Sequence, residues 1–365
     1  MKLNISGAKF SAIVKISEDL REQSRISGKE FLYLNRGINQ VKNIDLSEII
    51  PLIDFNSDAV QYYAHSKGML PLRKAINNEF FKNKTSDENI YITAGGMHAL
   101  SLVFQTLAVQ KIYSASFYWG AYTNALKIAG KEQCFYNKFE DIINNPDTYQ
   151  NSAVIICDPN NPTGEKAEET LLIETLNILH QKNITVIWDG PYRRLFYDHS
   201  DELYQKLLNH DNVIITESFS KSVGLSGQRV GFMHSINQAF NDEFAIRLLY
   251  SGNGINAFGQ ILVEKLLTSP EGIKATTAFK NKTVEDIKAN IKLLKDKNLL
   301  PKEFYGNTVP IGIFVIVNKS FDELKAMNIG SVPLSYFTKR TDINPEKYSR
   351  ICVSVPQEKF KAFFK

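Results

Sequence analysis

Lys221 lies in the run Ser218-Phe-Ser-Lys-Ser-Val-Gly-Leu-Ser-Gly-Gln-Arg-Val-Gly231, with Arg229 eight positions further on. A lysine that condenses with an aldehyde must be held still and must lose its proton readily. Small neighbours let a bulky partner approach the backbone, and Ser218, Ser220 and Arg229 are residue types that hold a phosphate. Taken alone, the tract could equally be a loop carrying a solvated lysine. About thirty residues upstream, Ile184–Trp188 reads as a short buried strand ended by Gly190-Pro191, which leaves Asp189 at its C-terminal edge. Ala153–Cys157 is a second such strand, running into Asp158-Pro-Asn-Asn-Pro-Thr-Gly164, a turn-rich segment that displays Asn161. Open α/β sheets bind ligands at the C-terminal ends of their strands. Three strand ends therefore present Asn161, Asp189 and Lys221 in order.

The Asn-Pro-Thr-Gly, Asp-x-x-Tyr and Ser-x-Ser-Lys-x-x-Gly-Leu-x-Gly-x-Arg-Val-Gly patterns resemble, in order and spacing, those of the class I/II aminotransferases. These are pyridoxal-phosphate (PLP) enzymes of fold type I. The resemblance runs from about Gly37 to Arg350. It implies an α/β fold: a large PLP-binding domain over residues 44–268 with a mostly parallel, seven-stranded sheet, and a smaller α+β domain from residues 1–43 and 269–365. It implies PLP held as an imine by Lys221, which then moves the substrate's α-proton as general base and acid, with Asp189 and Tyr192 completing the catalytic set.

The other cofactor contacts are carried over position by position. Tyr63-Ala-His-Ser-Lys-Gly68 followed by Leu72-Arg73 resembles the family segment whose tyrosine reaches across a homodimer interface to the partner's cofactor phosphate. In Thr93-Ala-Gly-Gly-Met97 a glycine turn opens a helix, exposing N–H groups and a positive dipole end suited to phosphate. Gly95, Gly96 and Met97 match the family's phosphate cup, joined by Ser218, Ser220 and Arg229. Trp119, rather than its neighbour Tyr118, matches the aromatic residue that stacks on the ring. Asp189 matches the partner of the ring nitrogen, and Asn161 and Tyr192 the donors to the phenolic oxygen. Arg350, in Tyr348-Ser-Arg-Ile-Cys-Val-Ser354, matches the guanidinium that forks onto the substrate's α-carboxylate, with Gly37 and Asn161 beside it.

The chain departs from the family pattern at Met97, at Phe117 and Leu334, where relatives often have proline and glycine, and at Gly190 in place of an acidic residue. Arg247 does not fall where dicarboxylate-specific relatives carry a second arginine, so aspartate and glutamate are disfavoured as the specific substrate. The expected reaction is amino transfer between an L-amino acid or related amine metabolite and a 2-oxo acid. A β- or γ-lyase, or a cyclising or oxidising enzyme of specialised metabolism, would use the same residues. A non-catalytic regulatory module would require a DNA-binding domain for which the chain has no room.

Composition fits this reading. The 365 residues are 43% hydrophobic and 22% charged, enough for two domains. A net charge of +4, from 43 basic and 39 acidic residues with no basic stripe, gives no sign of a nucleic-acid partner. Three widely spaced cysteines and six histidines form neither a disulfide framework nor a metal site. No apolar leader or membrane-length run is visible, and the expected compartment is the cytoplasm. The elements needed to position the site are a helix near Phe10–Arg25, the Phe31–Leu34 segment, alternating strands and helices over 44–268, and a break at Ser269-Pro270. Beyond the break come a long helix over about Lys274–Lys297 and strands at Ile311–Val317 and Arg350–Val355.

Overall fold

Each central strand is a short apolar run because both of its faces are covered, as parallel sheets require. In a computed structural model, which describes residues 1–198 and 200–365, Val154 and Ile156 enter one core while Ala153 and Ile155 enter another. The same division separates Val186 and Trp188 from Ile187. The strands are β1 (Leu32–Tyr33), β2 (Ile90–Thr93), β3 (Lys111–Ala115), β4 (Glu132–Tyr136), β5 (Ser152–Cys157), β6 (Thr185–Asp189), β7 (Val213–Ser218) and β8 (Gly231–His234). They continue with β9 (Phe314–Val317), β10 (Ile329–Gly330), β11 (Val332–Pro333) and β12 (Ser349–Cys352).

The main sheet has seven strands in the order β2-β8-β7-β6-β5-β3-β4. All neighbours are parallel except β8, which runs antiparallel to both β2 and β7. Register places the functional ends side by side, with Cys157 opposite Asp189 and Asp189 opposite Thr216. Ser218 lies opposite Gly231, which in turn lies opposite Thr93. Gly231 must be glycine because a Cβ there would strike the Glu217 carbonyl and come within 2.9 Å of the Gly95 backbone.

The remaining strands form an antiparallel sheet, β11-β12-β9, and a parallel pair, β1-β10. The first and last parts of the chain thus meet in one body. The helix Pro270–Asp296 packs Ile287, Ile291 and Leu294 into the core of that body. It starts four residues before the position expected from periodicity, because Ser269 accepts from the Gly272 N–H and Pro270 occupies the first turn. The expected strand Ile311–Val317 begins only at Phe314, since the N–H groups of Ile311 and Gly312 both donate to the Gly164 carbonyl. The expected Arg350–Val355 strand runs from Ser349 and stops at Cys352, and the N-terminal helix spans Ala12–Ser27. Among the described residues no helix is long and apolar enough to cross a membrane.

Candidate active site

β7 ends at Ser218, which caps the short helix Phe219–Ser222 by accepting from the Ser220 N–H and so fixes Lys221 just past the strand end. The Lys221 Nζ donates to the Gly37 carbonyl. Burial lowers its pKa to about 8; Cys352 opposes the change, and the fields of Arg229, Arg350 and Arg36 add to it. Two glycines of this tract serve the protein's own packing. A Cβ on Gly224, whose φ is +71°, would meet the Phe279 ring at 2.6 Å, and Gly231 faces backbone.

Asp189 is 3% exposed at the end of β6. Burial raises its pKa to about 6, against the hydrogen bonds of Tyr122 and Thr216. Tyr122 donates its hydroxyl to Asp189 Oδ2 from the helix Ala121–Ile128. This partner was not anticipated; the only clue in the sequence is an aromatic residue one helical turn after Trp119. Trp119 is half-buried and meets Tyr122 edge-on at 5.6 Å. Tyr118 is instead 3% exposed, stacked on Phe135 at 5.2 Å.

Asn161 and Tyr192 come together, the Asn161 Nδ2 donating to the Tyr192 hydroxyl at 3.2 Å. A buried ion pair ties their loops: Arg193 donates to Asp158 at 2.5 Å and, through Nε and Nη2, to Asp201 at 2.6 and 2.8 Å. The same Asn161 accepts from Arg350 Nη1 at 3.3 Å, and Arg350 Nη2 donates to the Asn35 carbonyl at 2.6 Å. The Arg350 guanidinium is sandwiched between the Phe314 and Phe337 rings at 4.1 and 4.5 Å. It is 1% exposed, its Nε is unpartnered, and burial lowers its pKa to about 10. No carboxylate among the described residues pairs with it, an arrangement costly to the folded chain unless an anion arrives.

A second cluster lies at the N-terminus of the helix Gly96–Thr106. Gly95 adopts φ +83° there, and a Cβ on it would stand 2.7 Å from Arg229 Nη2. Arg229 donates to Ser220 Oγ at 3.3 Å, to the Ser226 carbonyl at 2.9 Å and to the Ala94 carbonyl at 3.4 Å, and Ser218 Oγ donates to Ser220 Oγ at 3.0 Å. The Gly95 N–H donates to the Thr93 carbonyl, whereas the first-turn N–H groups of Gly96 and Met97 have no backbone partner among the described residues. Tyr63 stands apart: it is 89% exposed and makes no hydrogen bond to the cluster within the chain. Among the described residues no group of three or more His, Cys, Asp or Glu side chains could hold a metal ion.

A lysine and an aspartate at neighbouring strand ends, with an arginine and two serines gathered at a glycine-opened helix start beside them, are the features of a fold-type-I PLP-dependent protein. The chain belongs to the aminotransferase class I and II family, whose model matches residues 42–365. Among curated proteins it is 26% identical over 248 residues to an aspartate aminotransferase of Pyrococcus horikoshii, covering 64% of this chain and 63% of that protein. It is 29% identical over 196 residues to a histidinol-phosphate aminotransferase of Sulfurovum sp., covering 50% of this chain and 52% of that protein. The chain thus spans between about half and two thirds of the length of these relatives. Its fold is similar to that of the Thermus thermophilus aspartate aminotransferase solved with maleate, with a TM-score of 0.84 at 18% identity, covering 100% of this chain and 98% of that one. The residues present fit the family's cofactor: Lys221 and the buried Asp189 stand at neighbouring strand ends, and Arg229 and Ser220 meet beside Gly95 at a helix start.

Proposed function

We propose that the chain is a PLP-dependent aminotransferase that moves an amino group between an L-amino acid, or a related amine metabolite, and a 2-oxo acid. The observation that carries this reading is the Lys221 amine, fixed at the end of β7 with its pKa lowered to about 8. When bound, the cofactor supplies the aldehyde carbon that carries the amino group and the ring that draws electrons from the substrate's α-carbon. Arg350 forks onto the substrate's α-carboxylate, with Gly37 and Asn161 beside it, and so sets the angle of the α-hydrogen. Lys221 Nζ would take that proton from the α-carbon and pass it to the cofactor's aldehyde carbon, and in the reverse direction would return one to the former carbonyl carbon of the oxo acid once that carbon has bonded the transferred nitrogen. A pKa of about 8 leaves a working fraction of neutral amine near neutral pH.

Asp189 holds a proton on the ring nitrogen, oriented by Tyr122. Asn161 and Tyr192 would donate to the phenolic oxygen, and Trp119 would cover the ring. Gly96 and Met97 N–H groups, with Gly95 giving room, bind the phosphate together with Ser218, Ser220 and Arg229. The large domain comprises residues 44–268, and the small domain residues 1–43 and 269–365. The working unit is a cytoplasmic homodimer in which Tyr63 reaches the partner's cofactor phosphate; its exposure in the single chain supports this. The aspartate and histidinol-phosphate aminotransferases among the relatives support transamination rather than elimination. Borohydride reduction of the cofactor-loaded protein should leave the cofactor on the peptide containing Lys221, and Lys221→Ala should lose the adduct and nearly all turnover. An adduct mapping to another lysine would refute the assignment.

A further inference from the structure

Arg36 has no role in the assignments above, yet it sits between two residues that touch the site. The carbonyl of Asn35 accepts from Arg350 Nη2 at 2.6 Å, and the carbonyl of Gly37 accepts from Lys221 Nζ. The three-residue segment is held firmly. The Asn35 side chain donates to Ser17 Oγ at 2.6 Å, and the Phe314 ring, which also stacks on Arg350, fills the space a Cβ on Gly37 would need. The Arg36 side chain is exposed, and no hydrogen bond or ion pair to a described residue occupies its guanidinium. Its charge is close enough to act on the Lys221 amine, as do those of Arg229 and Arg350. Those two arginines already have partners inside the site, whereas Arg247 is engaged on the surface by Glu243 at 2.8 Å.

We propose that Arg36 is a specificity-determining residue that selects amino donors carrying an anionic group, a carboxylate or a phosphate, on the side chain. The proposal rests on the aminotransferase reading, since it needs the α-carboxylate at Arg350 and the amine at Lys221. A substrate so held has its α-carbon between the two contacts that bracket residue 36, and consecutive Cα atoms are only about 3.8 Å apart. The Arg36 guanidinium, exposed and with its charge acting on the Lys221 amine, is then the unpartnered cation nearest in sequence to both contacts and is positioned to meet the far end of the substrate. A planar fork suits carboxylate and phosphate equally, so the shared chemistry is an anion at the distal end. Arg36 would act from the substrate's own subunit, which restores to this chain the acidic substrates that the position of Arg247 argued against.

The test is calorimetric binding of succinate, 3-phosphonopropionate and butyrate to the cofactor-loaded wild type, Arg36→Met and Arg36→Lys, paired with kcat/KM for glutamate against glutamine and O-phosphoserine against serine. The wild type should prefer the dianions over butyrate by at least about tenfold, and Arg36→Met should reduce that ratio by about 10- to 100-fold, the worth of one charge-assisted hydrogen bond. Arg36→Lys should recover part of the ratio. A preference confined to succinate assigns the site to carboxylates, and one confined to the phosphonate assigns it to phosphates. An unchanged ratio in Arg36→Met, or butyrate binding as tightly as the dianions in the wild type, would overturn the proposal. Loss of the aminotransferase reading would show differently, as absence of turnover with every donor, while the binding ratio still reports on Arg36.

Discussion

Replacing Asp189 with asparagine should stabilise the cofactor-free protein while disabling it. Asp189 is almost fully buried, and its carboxyl is raised from an ordinary 3.8 to about 6 by burial, against the Tyr122 and Thr216 hydrogen bonds. A rise of that size means that near pH 7 the folded chain holds the ionised carboxylate against about 3 kcal/mol. The sign follows from proton linkage. A carboxyl whose folded pKa lies above its unfolded value binds protons more tightly in the folded state, so stability is lost as pH rises from the unfolded pKa through about 6. Asparagine keeps the shape and an oxygen able to accept from Tyr122 but carries no charge. The melting temperature of cofactor-free Asp189→Asn should therefore match the wild type near pH 4. It should exceed it by on the order of a few degrees at pH 7.5, the gap opening as pH rises through about 6. With cofactor the order should reverse in function: the variant retains it poorly and turns over far more slowly, because no anion opposes the ring nitrogen. A variant that melts below the wild type at pH 7.5, or a gap equal at pH 4 and 7.5, would mean that the buried Asp189 charge does not burden the folded chain.

Arg350→Lys should lower kcat/KM by roughly 10- to 100-fold, since a point charge cannot reproduce the fork aimed past Asn161; unchanged steady-state kinetics would remove the anchor role. Tyr63→Phe should weaken cofactor retention by about 1.5–3 kcal/mol, measured by equilibrium dialysis. Mixing inactive Tyr63→Ala and Lys221→Ala chains should restore activity through the one site per mixed dimer that keeps both residues. A fully active monomer in sedimentation at assay concentration would contradict the shared site.

Much of the site is legible in the sequence because its pieces are local. A run such as Ile184–Trp188 is apolar on both faces, so its strand, and Asp189 at its end, follow from six residues. The Ser218–Gly231 tract places Lys221 and Arg229 with no long-range information beyond the strand before it. What escaped depends on chain segments far apart in sequence. Tyr122 reaches Asp189 across 67 positions, and the Asn35 carbonyl meets Arg350 across 315, so neither contact leaves a local pattern. Gly224 and Gly231 are glycines because the Phe279 ring and the Glu217 carbonyl stand where a Cβ would be, contacts that no local pattern reveals. The strand at Ile311 was overextended because its first amides turn to Gly164, a partner that β-propensity cannot reveal. The role proposed for Tyr63 involves a second subunit, and in the single chain its side chain is 89% exposed.

Amino transfer itself is read out by a single-turnover incubation of the cofactor-loaded protein with each candidate amino acid and no oxo acid. The prediction is one equivalent of 2-oxo acid per Lys221 site, with the cofactor converted to its amine form and restored when an oxo acid is added. Continued release of a side-chain leaving group, with the cofactor still in its aldehyde form, would contradict it.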